Sequence, residues 1–81
     1  MTKAVFLVYA SRNQWWVDCE GRATGPYLTR AAAIVEAIPQ AQAMLASGRP
    51  AEVLAPGDDR HHHVAWPPVT MRRRHEAKLA G

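Results

Sequence analysis

The 81-residue chain has one cysteine, one phenylalanine and no long apolar run. A single thiol, Cys19, excludes an internal disulfide, a C-x-x-C redox pair and a cysteine-rich zinc cluster. No stretch approaches the ~18 consecutive apolar residues that span a bilayer, so no membrane partner is expected. The apolar opening from Ala4 to Tyr9 is too short for a signal peptide and runs straight into Ser11-Arg12-Asn13, which makes a reducing cytoplasm the expected compartment. Gly21, Gly25 and Gly57 form neither a dinucleotide fingerprint nor a phosphate loop. Ser11 has no His or Asp framework near it, and Cys19 follows Val17 on an inner strand face, where a structural thiol is the simpler reading. Neither enzyme activity nor a cofactor is expected. A chain of this length holds one domain and buries only about 60% of its unfolded surface, so a partner subunit would supplement a thin core.

What charge there is sits unevenly. Before residue 70 the cations are Lys3, Arg12, Arg22, Arg30, Arg49 and Arg60, against Asp18, Glu20, Glu36, Glu52, Asp58 and Asp59. These cancel. The formal excess of +3 lies wholly in the last twelve residues, where Arg72, Arg73, Arg74 and Lys78 face only Glu76. A neutral domain over residues 1–68 therefore carries a basic tail over residues 69–81.

The β-branched and aromatic run from Lys3 to Ala10 predicts a strand. Asn13 offers a left-handed turn residue, and Trp15 to Glu20 alternates, with Trp15, Val17 and Cys19 on one face and Trp16, Asp18 and Glu20 on the other. Gly21 and Gly25-Pro26 predict the end of that strand and a loop. Thr29 caps a helix whose stripe is Ile34, Ile38, Ala41 and Leu45, with Leu28 stapled onto Ala33. Pro39 predicts a kink, because it lacks an amide donor and crowds the Val35 carbonyl, while Gly48 stands where a C-cap belongs. Ala51 to Ala55 and Arg60 to Trp66 predict two further strands around a Pro56-Gly57-Asp58-Asp59 turn, with Val64 and Trp66 on one face. The expected fold is α+β, in the order β-β-α-β-β: a mainly antiparallel sheet with one kinked helix on one face.

Trp15 and Val17 (or Trp16, one register on), the Thr29 cap with Ala32, Ala33 and Ile34, the Val53-Leu54 strand and the Asp58-Asp59-Arg60 turn give a recognisable spacing. Over residues 3 to 66 this resembles a group of small uncharacterised bacterial domains that pair a W-x-V strand with a threonine-capped, alanine-rich helix. The resemblance implies a fold and no activity, and it carries no site residues across.

Three clusters are candidates for function. His61-His62-His63 places at most two imidazoles, His61 and His63, on one strand face, fewer than the three or four ligands a zinc site uses; the plainer reading is a polar edge strand with His62 half-buried. Arg72, Arg73, Arg74 and Lys78 offer a phosphate-neutralising cluster, with Thr70 as the cap of a short helix from Met71 to Leu79, but the neutral body adds no second basic surface. Trp15-Trp16 must face opposite ways on a strand, so burying one presents the other. Trp16, Asp18 and Trp66 are the expected interface residues. The sequence thus predicts a non-enzymatic protein-association module, with a homodimer as one form; binding nucleic acid through the tail is the alternative, and weak metal binding at His61 and His63 the remote one.

Overall fold

The computed structural model describes residues 2–68. Five strands and one helix follow in the order β1 (Ala4–Ser11), β2 (Gln14–Cys19), β3 (Arg22–Tyr27), α1 (Arg30–Ala46), β4 (Ala51–Pro56) and β5 (His62–Trp66). The strands form one sheet in the spatial order β3-β2-β1-β4-β5. All neighbours are antiparallel except β1 and β4, which run parallel because α1 carries the chain back between them. The molecule is α+β with its helix on one sheet face, as expected, but it has one more strand.

That extra strand is β3. Cys19 pairs with Arg22 across a two-residue turn in which Glu20 (φ 53°) and Gly21 (φ 86°) are both left-handed, the turn geometry that suits the twist of a hairpin. Gly21 therefore turns the chain into another strand instead of a loop. Arg12 (φ 56°) and Asn13 (φ 64°) make the same kind of turn between β1 and β2. Gly25-Pro26 is tolerated in β3 because β3 is an edge strand, where a missing amide donor costs no ladder bond.

The core lies between α1 and the sheet face made by Ala4, Phe6 and Val8 of β1, Val17 of β2, Ala51, Val53 and Ala55 of β4, and Trp66. The helix meets it with Ala33, Ala37 and Ala41, all fully buried, while Ile34, Ile38 and Met44 flank them. The expected stripe is thus rotated: Leu45 is 41% exposed, and Leu28 is 95% exposed and staples nothing. The sheet supplies the bulk through Phe6 and Trp66, so the helix approaches closely through small residues.

The Thr29 hydroxyl accepts the Ala32 amide at 3.0 Å, as a cap should. At the other end the Arg49 amide reaches the Met44 carbonyl (3.0 Å) and the Gly48 amide the Leu45 carbonyl (2.9 Å), with Gly48 at φ 94°. This is a Schellman closure, and it requires a left-handed residue at position 48. Between these caps the helix runs unbroken through Pro39. Pro39 is exposed, and Val35, whose carbonyl loses a donor to it, is on the solvent side too.

β5 starts at His62, because Arg60 (φ 66°) belongs to the preceding turn. Its register shifts between Val53↔Trp66 and Leu54↔Val64, leaving Ala65 as the extra residue of a bulge. Trp66 therefore joins Val53 beneath the helix, while Val64 joins Leu54 on the opposite face. Val64 and Trp66 do not share a face, and Val64 is not covered by the helix.

Candidate functional site: the uncovered sheet face

The face opposite the helix follows from the registers. Tyr9 pairs with Trp16, Leu7 with both Asp18 and Leu54, Leu54 with Val64, and Val5 with Glu52. All of these are half-buried, although no element of the described chain lies on them. They shield one another. Trp16, Tyr9, Leu7, Leu54, Val64 and Val5 thus form an apolar stripe across four strands. Its charged members are Asp18, Glu52 and Lys3, and the last two pair at 3.4 Å.

Trp16 is placed by its neighbours. It falls in a register shift between Trp15 and Val17, and its indole lies over Gly25 of β3. A Cβ at Gly25, which has φ 132°, would stand 3.0 Å from the Trp15 carbonyl oxygen and 3.1 Å from the Trp16 ring. A larger residue there would lift the ring. Trp15 faces the core, so the tryptophan pair divides between the two faces as the alternation predicts.

Trp16 and Asp18 therefore lie on the outer face. Trp66 does not: at 7% exposure it belongs to the core, drawn under the helix by the Ala65 bulge. Arg72, Arg73, Arg74 and Lys78 lie outside the described residues, as does the expected short helix from Thr70.

The histidines are engaged by the fold. The β1–β4 ladder ends at Leu7↔Leu54. One step further, the amide of residue 56 would meet the Val8 carbonyl, but Pro56 has no amide hydrogen. The His62 imidazole supplies the donor, its Nε2–H reaching that carbonyl at 3.1 Å. This fixes the proton on Nε2 and accounts for a histidine at this point of an edge strand, although the residue as a whole is exposed and not half-buried. His63 donates from Nε2 to the Asp59 carboxylate at 2.9 Å, and Asp59 also accepts the His61 amide at 3.1 Å. Among the described residues no three His, Cys, Asp or Glu side chains gather around a point that could hold a metal.

The residue that sequence reasoning missed is Arg49. Its guanidinium pairs with Glu20, and its Nε donates to the Thr2 carbonyl at 2.9 Å, tying the loop after α1 to the β2–β3 turn and the start of β1. A lone arginine in a Gly-Arg-Pro loop gives no periodic signal, so only the fold reveals these partners. Nearby, burial pushes the Cys19 thiol up, against the opposing pull of Arg49, which disfavours the thiolate a nucleophile needs. Comparison of the chain with protein-family models, curated proteins and solved structures finds no match.

Proposed function

We propose that this chain is a protein-association module that pairs with a second copy of itself through the uncovered sheet face. One observation carries the reading: β1 is apolar on both faces, with Ala4, Phe6 and Val8 toward the helix and Val5, Leu7 and Tyr9 away from it. A strand that is apolar on both sides is the pattern of a sheet covered on both sides, yet α1 covers only one. A second copy fits better than an oppositely charged partner, because the stripe's Lys3 and Glu52 neutralise each other and leave Asp18 alone to select by charge. Two such sheets would stack at about 10 Å, as sheets in sandwiches do, and an isologous pair would cover both stripes at once. Kinship with the small bacterial β-β-α-β-β domains belongs to the same proposal, and rests on the W-x-V strand and the threonine-capped helix.

Leu54→Lys tests it, since Leu54 lies mid-stripe with its side chain directed away from the core. Sedimentation equilibrium should give the wild-type chain a mass near twice 9.0 kDa and the folded variant a mass near the single value. A wild-type monomer at high micromolar concentration would sink the proposal.

A further inference from the structure

A second feature lies at the sheet end where parallel β1 and β4 finish and α1 begins. An open cleft of about 760 Å³ is lined there by Arg30, Arg60 and His62, with Tyr9 and Trp15 on its wall and Asp58 at its edge. In open α/β sheets ligands bind outside the carboxyl ends of the parallel strands, and this cleft lies at the corresponding end of the single parallel pair.

Arg30 and Arg60 line this cleft, and neither has a carboxylate partner among the described residues. The ion pairs there are Lys3–Glu52, Arg49–Glu20 and His63–Asp59, none of which uses Arg30 or Arg60. Arg30 is held in place: its Nε donates to the Pro56 carbonyl at 2.7 Å, and among the described residues its terminal nitrogens make no hydrogen bond. It is also the first helical residue, with no acidic residue in the first turn to neutralise it. Arg60 is fixed from the other side by a turn in which its amide donates to the Gly57 carbonyl at 3.0 Å. Asp59, the acid nearest to it in sequence, is already bound by His63 and the His61 amide. Of the cleft's lining residues, Asp58 alone offsets the two cations.

We infer that this cleft binds a phosphate monoester of a flat apolar group. The two guanidiniums would take the phosphate oxygens, a fork geometry suited to oxyanions, and the ring would lie against Trp15. The cleft meets the association stripe only at Tyr9, and its test reads Arg30, Arg60 and Trp15, none of which belongs to that stripe.

The test is a titration of the full chain at constant ionic strength, followed by ¹H–¹⁵N spectra that include arginine Nε and tryptophan indole signals. Phenyl phosphate is the probe, with inorganic phosphate and sodium chloride as the other arms. Phenyl phosphate should give saturable shifts at Arg30, Arg60 and the Trp15 indole, and bind more tightly than phosphate. Arg60→Gly, which suits the positive φ, should weaken binding at least fivefold, as should Arg30→Gln; the same spectra report whether each variant is folded. Shifts that follow salt alone, that spread equally to Arg12 and Arg22, or that persist in both folded variants would overturn the inference. So would equal affinity for phosphate and phenyl phosphate.

Discussion

Asp59 shows how a single exposed side chain organises a turn. The His63 imidazole, and after it the His61 amide, holds its carboxyl below the ordinary value of about 3.9. A carboxylate depressed by folding lends stability that is complete above the ordinary value and disappears as pH falls through the lower folded one. Asp59→Asn should therefore lose less stability than wild type between about pH 5 and pH 2, a small difference because the group is fully exposed. Urea midpoints at the two ends of that range check it, and equal losses would contradict the assignment. Gly25 makes a stronger claim. With φ 132° and only 3.0 Å to the Trp15 carbonyl for any Cβ, Gly25→Ala should cost about 1–3 kcal/mol. A chemical denaturation curve measures that, and Trp16 fluorescence should shift with it as the indole lifts.

At the scale of the element, α1 is defined by what it leaves out. Ala33, Ala37 and Ala41 are spaced four apart and fully buried, so the helix backbone rides close over Phe6, Val8, Val17 and Val53. Ala37→Leu adds bulk where nothing can yield, and should destabilise by about 1–3 kcal/mol, although leucine is nearly as good a helix former. The same change at Ala43, which is exposed, should be close to neutral. Denaturation midpoints of the two variants compare them; equal effects would show that the alanine seam is not tight. The helix and its caps were legible in the sequence, because Thr29 and Gly48 act through local hydrogen bonds. Its rotation was not: Ile34, Ile38 and Leu45 carry the stronger apolar signal, yet the sheet's own bulk favours the alanines. β3 was hidden for a different reason. Its Arg-Ala-Thr-Gly-Pro-Tyr has neither alternation nor a β-branched run, and it is held in place by the Glu20-Gly21 turn and its pairing with β2.

At the scale of the molecule, the sheet face that the described residues leave uncovered is the dominant fact. The division of Trp15 and Trp16 between two faces could be read from the strand period of two, and Asp18 went with Trp16 for the same reason. Trp66 could not be placed that way, because a one-residue bulge at Ala65 reverses every side-chain direction beyond it. Joining of Leu7, Leu54 and Val64 into one stripe also needed the sheet order, which sets β1 beside β4 although two strands and the helix separate them along the chain. If the stripe is an interface, Leu54→Lys should separate the copies while leaving the far-ultraviolet circular dichroism of each intact.

By itself the sequence determined what depends on neighbours along the chain: the first hairpin, the capped helix, the position of the turn before β5 and the zero net charge of the body. These follow from local dihedral preferences and from side chains repeating every two or 3.6 residues. Tertiary structure alone decided which strands lie side by side, which helix face turns inward, and that Pro56 leaves a carbonyl for His62 to satisfy. Those outcomes depend on volumes and hydrogen-bond partners brought together from distant parts of the chain, and no short stretch of residues contains them.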